Sequence, residues 1–319
     1  MDKSSDKLYE TSLDRPEELS DVVYLTHLTT PESIYHLRLG FAALASTPQT
    51  SKWYLWVLWP VTLWSMMYFM HWQKELINSL IEEAILEAEE RGSKVLSLGL
   101  FNQGEELNRN GEVYLRRHPQ LKVKVVDGSS LAVAVVLNSI PKGTTQVVLR
   151  GNLSKVAYSI ALALSQRGLQ VATLRVDEYK RLKAKLDTDA GSNIVLSKSY
   201  APKIWLVGGE LTEEEQMKAS KGTLFIPFSQ FPPKMIRKDC FYYNTPAMLT
   251  PKYLENVDSC ENWLPRRVMS AWRIAGILHA LEGWNVHECG DMMFSIEKVW
   301  KASLQHGFCP LKMPTQSKP

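Results

Sequence analysis

The chain carries almost no excess of charge of either sign. Its 37 lysines and arginines face 34 aspartates and glutamates, which gives the 319 residues a formal net charge of +3. A strongly basic surface is the usual electrostatic footprint of nucleic-acid binding, and this composition does not indicate one. The first residues, MDKSSDKLYETSLDRPEELSD, lack a basic segment leading into an apolar one. We therefore predict no nucleic-acid partner and no secretory signal peptide.

Cysteine and histidine are scarce, and their spacing does not suit metal chemistry. No two of the four cysteines are spaced as CxxC, which argues against a zinc site and a disulfide framework and favours reduced thiols. The seven histidines include no HxxxH or HxxHH cluster, so the sequence predicts no histidine-built metal site. His287 and Cys289 stand close together in HEC, but two such residues are weak evidence for a metal. A GxSxG nucleophile elbow is also missing, and the catalytic residues stay unknown.

An uncharged, tryptophan-rich stretch of twenty residues, Trp53 to Trp72, is the most unusual segment present. Its length is that needed to cross a bilayer, and the aromatic residues at its two ends suit a transmembrane helix. Its inner tryptophans and Pro60, which would kink a helix, also fit an interfacial or re-entrant segment. A buried core helix is the third alternative. Lys52 and Lys74 flank the stretch on both sides, so the positive charges do not predict which end would face the cytosol.

Residues 1–50 are predicted to form a polar leader and one amphipathic helix. Val22–Leu25 is a short β-like run. Thr30 is placed to cap a helix that opens at Pro31, and apolar residues then recur at helical spacing as far as Ser46. We therefore divide the chain into residues 1–50, a hydrophobic membrane-associated segment at 53–72, and a C-terminal domain at 75–319.

Strands and helices alternate through the C-terminal domain. Short apolar β-branched runs separated by helices are typical of a parallel sheet covered on both faces. The predicted strands are Lys94–Gly99, Lys122–Val126, Gln146–Arg150, Gln170–Val176, Ile204–Val207 and Thr223–Ile226; the predicted helices are Glu75–Arg91, Ser129–Ile140, Leu153–Gln166, Arg266–Glu282 and Ile296–His306. The fold class is therefore α/β, with a Rossmann-like, mostly parallel sheet flanked by helices.

One strand-helix-strand unit, QVVLRGNLSKVAYSIALALSQRGLQVATLRVD, is the best candidate for nucleotide binding. A glycine directly after the strand permits a tight turn, and the N-terminus of the next helix offers N–H groups to a phosphate. A carboxylate at the end of the second strand could bind a ribose hydroxyl. A dinucleotide fingerprint has three glycines, however, and only one is present here. NADP(H) is thus a possible cofactor, with cofactor-binding candidates Gly151, Asn152, Ser154, Lys155 and Asp177.

Two further patterns complete the candidate site. Asn102, Gln103 and Glu105 in LGLFNQGEELNRNG follow a predicted strand, where they could line a ligand crevice or simply form turns. The runs 127–129 (DGS) and 208–209 (GG) are expected at the same edge. The spacing of Tyr179 and Lys183 matches the Tyr-x-x-x-Lys pair of short-chain reductases, but it occurs much too early for that role. We predict that this pair lies on the surface.

Several long phrases together identify the chain as similar to one family. YLTHLTTPESIYHLRLGFAALAS, VLSLGLFNQGEELNRNGEVYL, KGTLFIPFSQFP, SCENWLPRRVMSAWRIAGILHALEGW and HECG closely resemble the C-terminal half of the plant eceriferum proteins, the very-long-chain aldehyde decarbonylases of cuticular wax alkane synthesis. The resemblance runs from about Tyr9 to the end of the chain. It implies a protein of the endoplasmic-reticulum membrane that acts on very-long-chain aldehyde or acyl substrates. Its implied partners are the membrane and other wax-synthesis proteins, with the α/β domain facing the cytosol.

The resemblance also implies what this chain does not carry. The family's N-terminal membrane half has histidine clusters thought to hold iron, and the chain begins after that half. The tryptophan-rich stretch also runs into QKELINSLIEEAILEAEE sooner than in the family, as if a segment were missing. An accessory domain is therefore the first expectation. An NADPH-dependent long-chain acyl or aldehyde reductase and a non-catalytic scaffold are the alternatives.

Overall fold

A computed structural model gives the fold of residues 22–28, 41–47, 50–62, 71–99, 104, 107–186, 191–209, 211–233, 235–254, 261 and 263–312. These residues form three sheets and the helices packed around them. In chain order the strands are β1 Val22–Leu28, β2 Phe41–Thr47, β3 Thr50–Thr62, β4 Val95–Ser97, β5 Lys124–Val126, β6 Gln146–Arg150, β7 Gln170–Thr173, β8 Ile194–Leu196, β9 Ile204–Val207, β10 Leu224–Pro227, β11 Phe241–Tyr242, β12 Ala247–Leu249, β13 Val268–Ser270 and β14 Cys309–Pro310.

Helices connect most of these strands. In chain order they are α1 His71–Glu90, α2 Glu112–Arg117, α3 Ser129–Ser139, α4 Lys155–Gln166, α5 Val176–Lys185, α6 Glu213–Lys218, α7 Ala271–Leu281 and α8 Ile296–Gln305. The predicted helices Glu75–Arg91, Ser129–Ile140, Leu153–Gln166 and Ile296–His306 are confirmed to within a few residues at their ends.

The larger sheet is entirely parallel. Its strand order is β11-β10-β9-β6-β7-β8, so the chain starts in the middle at β6, runs outward to β8, and returns to β9 on the other side of β6. Ligands of open α/β sheets bind where such a strand order reverses, outside the carboxyl ends of the strands. In this sheet that position is between β6 and β9. The predicted α/β class with a mostly parallel sheet is confirmed.

The smaller parallel sheet has the order β2-β3-β1-β4-β5. Only β2 runs antiparallel, in a hairpin with β3 that pairs Ser46 with Trp53 and Phe41 with Leu58. The helix predicted over Pro31–Ser46 is therefore wrong for residues 41–46, and residues 31–40 lie outside the described ranges. The predicted β-like run Val22–Leu25 is confirmed, since it lies within β1.

The tryptophan-rich stretch is not a helix where it is described. Residues 53–62 belong to β3, residues 63–70 fall outside the described ranges, and residues 71–72 begin α1. Aromatic and β-branched side chains favour extended backbone. Within β3, residues 50–58 pair with β2 and residues 59–62 pair with β1. Among the described residues, no helix combines the length and the apolar character that a bilayer crossing requires.

The third sheet is small and antiparallel, with β12 between β13 and β14. It corrects the helix predicted over Arg266–Glu282, because Val268–Ser270 pairs with Ala247–Leu249 and the helix begins only at Ala271. Three residues of extended backbone therefore precede α7.

The main core lies between the two parallel sheets. Buried Val95 and Val126 from the smaller sheet and Val147 and Leu206 from the larger one pack around α3, α4, α7 and α8. The outer face of the smaller sheet is covered by α1, through Ile77, Ile81 and Ile85 among others. Because α3 is buried along almost its whole length between the sheets, polar groups at its N-terminus must be satisfied by other buried groups.

Candidate functional site

The carboxyl ends of β6 and β9 meet through two glycines. Gly151 follows β6 with φ 127°, and a Cβ atom placed on it would lie 2.7 Å from the backbone N and Cα of Gly208, which follows β9. Gly151 therefore provides close packing between two turns. The sequence pattern suggested this glycine only for a tight turn after the strand.

Arg150 is the central charged group at this edge. Its side chain is 1% exposed, and its guanidinium binds two carboxylates: Nη1 to Glu178 at 2.6 Å and Nε to Glu215 at 2.8 Å. Burial lowers the pKa of Arg150, but Glu215 and Glu178 outweigh this effect and raise it. Arg150 thus joins the end of β6 to the first turns of α5 and α6.

Glu178 also binds the backbone amide of Gly151, one of the predicted cofactor-binding residues. Its Oε1 accepts a hydrogen bond from the Gly151 N–H at 3.2 Å as well as from Arg150. Burial raises the pKa of the Glu178 carboxyl, against the lowering effect of Arg150. A carboxylate of the protein therefore takes the place where an anionic ligand would contact this turn.

The other predicted residues of the turn are engaged in local contacts. The Asn152 side-chain oxygen accepts the Gly209 N–H at 3.3 Å, which ties the turn after β6 to that after β9. Ser154 is the N-cap of α4, and its Oγ accepts the Ala157 N–H at 3.4 Å. The donors expected to hold a phosphate are thus partly occupied, and this turn fits the pyrophosphate of NADP(H) poorly.

Lys155 points away from this turn toward the smaller sheet. Its Nζ lies 2.7 Å from Oδ2 of Asp127, which follows β5, and also donates to the carbonyl oxygen of Met292. Asp127 is completely buried, and its Oδ1 caps α3 by accepting the Ser129 N–H at 2.8 Å. The ion pair therefore connects the first turn of α4 to the N-terminus of α3.

A second buried carboxylate completes the cap of α3. Oε1 of Glu288 accepts the Ser130 N–H at 2.7 Å, and Oε2 lies 3.1 Å from Nε2 of His279 on α7. Burial tends to raise the pKa of Glu288, but His279 and its other hydrogen-bond partners lower it overall. We call Asp127, Lys155, Glu288 and His279 the buried quartet. It brings together residues of β5, α4 and α7 and the segment before α8.

The remaining predicted residues are not part of this arrangement. Asp177 lies in the first turn of α5, since β7 ends at Thr173, and its half-exposed carboxylate pairs with Arg175 at 3.2 Å. Asn102, Gln103 and Glu105 lie outside the described residues. Tyr179 and Lys183 are partly exposed on α5, with the lysine Nζ 5.8 Å from the centre of the ring.

Sequence reasoning missed four of the buried ionisable groups: Arg150, Glu178, Glu288 and His279. One signal was available, because an arginine directly after the apolar run Val147–Leu149 needs a buried counter-charge. The HEC segment was considered only as a metal ligand. In the described ranges, no three His, Cys, Asp or Glu side chains converge in a way that could hold a metal ion.

Burial raises the pKa of Asp127 to about 6, with Glu288 adding to the shift and Lys155 opposing it. An unfolded aspartate has a pKa near 3.9, so between about pH 4 and 6 the folded chain binds more protons than the unfolded chain at this site. The contribution of Asp127 to folding stability should therefore rise as the pH falls through 6. Urea unfolding from pH 7.5 to 4.5 should show the wild type gaining stability relative to Asp127→Asn. A constant difference between the two proteins would contradict the shift.

The chain is similar to known proteins over almost its whole length. Residues 147–310 match the family model described as "CER1-like, C-terminal domain". The chain is 54% identical over 351 aligned positions to the very-long-chain aldehyde decarbonylase CER1 of Arabidopsis thaliana, covering 98% of this chain and 56% of that protein. It is 52% identical over 346 positions to the very-long-chain aldehyde decarbonylase GL1-5 of Oryza sativa subsp. japonica, again covering 98% and 56%.

The chain therefore spans a little over half the length of the curated relatives it matches. The first alignment is longer than the chain, so that relative has residues with no counterpart here. Among solved structures, L-tryptophan dehydrogenase from Nostoc punctiforme aligns over 89% of this chain and 77% of its own, with 10% identity and a TM-score of 0.37. That likeness is too low to support any conclusion.

Proposed function

Because the chain belongs to the CER1-like family of very-long-chain aldehyde decarbonylases, we propose that it serves alkane formation in cuticular wax synthesis as an accessory domain. The proposed setting is the endoplasmic-reticulum membrane, with the α/β domain on the cytosolic side. Very-long-chain aldehyde or acyl compounds are the proposed substrates, and full-length relatives are the proposed protein partners.

One observation supports an accessory role over independent catalysis. The ionisable groups at the carboxyl edges of the two sheets contact one another: Arg150 with two glutamates, Lys155 with Asp127, and His279 with Glu288. A catalytic acid or base has to face the substrate proton that it transfers. Groups neutralised in buried pairs are better suited to holding the two sheets and their turns in a fixed arrangement.

A yeast host that makes very-long-chain aldehydes provides the test. Three strains are compared: one produces the 319-residue chain alone, one the full-length Arabidopsis relative alone, and one both proteins. We expect alkane only where the relative is present, and more alkane per aldehyde when this chain accompanies it. Alkane from the chain alone would contradict the accessory role, and an unchanged yield with the relative would leave the domain without a part in alkane formation.

Substitutions at two exposed residues distinguish a ligand-binding domain from a purely structural scaffold. Gly209→Ala alters the turn after β9, where a Cβ meets no atom within 4 Å, and Asp177→Asn alters a half-exposed side chain in the first turn of α5. A scaffold predicts that both variants bind the relative and support alkane formation as well as the wild type. A ligand-binding domain predicts unchanged binding of the relative and a lower alkane yield.

The strand order of the larger sheet favours one alternative, a Rossmann-like domain that uses NADPH as a long-chain acyl or aldehyde reductase. That order, counted from β6, is 3-2-1-4-5-6, which is the order of dinucleotide-binding sheets. The poor fit of the Gly151 turn weighs against it. Titration of the chain with NADPH, followed by tryptophan fluorescence, decides the point. Saturable binding would favour the reductase, and a titration without saturation would reject it.

A further inference from the structure

A loop that begins at the carboxyl edge of the larger sheet exposes large apolar side chains to solvent. We call residues 231–238 (FPPKMIRK), which follow β10, the apolar loop. Ile236 is 65% exposed, Met235 50% and Phe231 45%. Single exposed apolar residues are ordinary on protein surfaces, but several within one short segment indicate a contact surface. This loop therefore needs a partner that accepts apolar side chains.

The exposure does not result from a loosely attached loop. The Arg237 backbone N–H donates to the Tyr242 hydroxyl at 3.1 Å, and its Nη1 donates to the Ala219 carbonyl oxygen at 2.8 Å. At the other end, the Ser229 hydroxyl donates to the Phe231 carbonyl oxygen at 2.9 Å, and the Phe231 ring packs against Trp263 at 4.9 Å between ring centres. Both ends of the loop are fixed, and the apolar side chains between them stay outside.

The charge of the loop indicates the kind of partner. Arg237 is neutralised by Asp239, with Nη2 and Oδ2 2.8 Å apart. Lys238 is exposed, and the sequence of the loop contains a second lysine at position 234. Apolar side chains flanked by lysines are typical of segments that enter the interface of an anionic membrane, where each lysine adds electrostatic attraction.

We propose that the apolar loop inserts Phe231, Met235 and Ile236 into the headgroup region of an anionic lipid bilayer. A second protein molecule fits less well. A stable protein interface buries about 800 Å² on each partner, and three partly exposed side chains in one short loop offer far less. A bilayer interface can accept a few side chains to a depth of about 5–10 Å. The proposal goes beyond the proposed function and stands without it.

The loop begins beside the edge at which the candidate site is located, and its other end contacts the C-terminus of α6 through Arg237. Gln230 immediately precedes it, and its side-chain amide donates to the Gly99 carbonyl oxygen after β4 at 3.2 Å. Membrane contact through the loop would thus bring the turns after β4 and β10 toward the lipid. An apolar compound leaving the bilayer would have only a short distance to travel through water before reaching this edge.

The test reports on the loop itself, because the tryptophan-rich stretch could also bind lipid. The full chain first receives Cys260→Ser and Cys309→Ser, so that these two thiols are not labelled. One variant then carries Met235→Cys, and the matched control carries Leu304→Cys on α8, where Leu304 is 45% exposed. Cys240 and Cys289 are buried. Each protein is labelled with an environment-sensitive fluorophore and mixed with vesicles of phosphatidylcholine alone or with a minority of phosphatidylserine. We expect a blue shift and a rise in intensity at position 235 with the anionic vesicles, and no change at position 304.

Binding strength gives a second measurement. We expect Lys234→Gln with Lys238→Gln to weaken sedimentation with anionic vesicles by roughly tenfold, and Met235→Ser with Ile236→Ser to do so by a similar factor. If the chain sediments with vesicles while the label at position 235 stays unchanged, another segment binds the lipid and the proposal is wrong. It is equally wrong if the chain does not sediment at all, or if the label responds to protein concentration without vesicles, which would identify a second copy as the partner.

Discussion

Replacing Arg150 by methionine should strongly destabilise the fold. The change leaves Glu178 and Glu215 as carboxylates without their cation, and the Glu178 side chain is only 6% exposed. Removing one partner of a buried ion pair typically costs about 3–5 kcal/mol, because the remaining charge stays desolvated. We expect Arg150→Met to lower the free energy of unfolding by about that amount in urea titrations followed by circular dichroism.

Arg116 provides the matched control for this experiment. It also binds a carboxylate, with Nη2 2.6 Å from Glu112, but its side chain is 63% exposed. Arg116→Met should therefore change the free energy of unfolding by less than about 0.5 kcal/mol. The double variant Arg150→Met with Glu178→Gln should recover part of the loss, since it removes one of the two uncompensated charges. If Arg150→Met and Arg116→Met lowered the free energy of unfolding by similar amounts, the buried ion pairs of Arg150 would not be important for stability.

Gly128→Ala is expected to produce the second large loss of stability. Gly128 adopts φ +76° at the start of α3, and a Cβ there would lie 2.3 Å from the carbonyl oxygen and 2.6 Å from the Cα of Trp272. These are backbone atoms of α7, so rotation of a side chain cannot relieve the contact. Left-handed backbone costs about 1–2 kcal/mol for a residue with a Cβ, and overpacking adds about 1–3 kcal/mol.

Gly143→Ala separates the two contributions. Gly143 has φ +82°, but a Cβ there meets no atom within 4 Å. The control should therefore lose only the backbone contribution, about 1–2 kcal/mol, while Gly128→Ala loses the sum. Thermal unfolding of both variants beside the wild type provides the comparison. Equal midpoints would mean that α7 shifts away from α3 without cost.

The sequence predicted four of the six strands of the larger sheet and missed the short strands β8 and β11. Gln146–Arg150 and Ile204–Val207 are confirmed at both ends, since short β-branched runs bounded by turn residues suit buried parallel strands. The stretch from Trp53 failed for the opposite reason. A long apolar run has no periodicity that separates helix from strand, and pairing with strands distant in the chain decided its conformation.

The candidate site was harder to predict than the fold. The turn residues Gly151, Asn152 and Ser154 are at the predicted strand end, but Lys155 points to another part of the molecule because a buried Asp127 lies within its reach. Asp177 does not lie at the end of β7, because β7 ends at Thr173 and α5 begins at Val176. Such pairings depend on where distant elements meet, and no local pattern reports that.

The segment around Glu288 also has a consequence for the order of folding. Glu288 pairs with β5 from the far end of the chain: its N–H donates to the Val125 carbonyl oxygen at 3.0 Å, and its carbonyl oxygen accepts the Asp127 N–H at 2.7 Å. Some 160 residues separate the two segments, as in the contact of His287 with Val125. Contacts between residues so distant in sequence slow folding, because a long loop has to close before they form. During synthesis, β5 therefore keeps an unpaired edge, and α3 an incomplete cap, until the segment around Glu288 has left the ribosome.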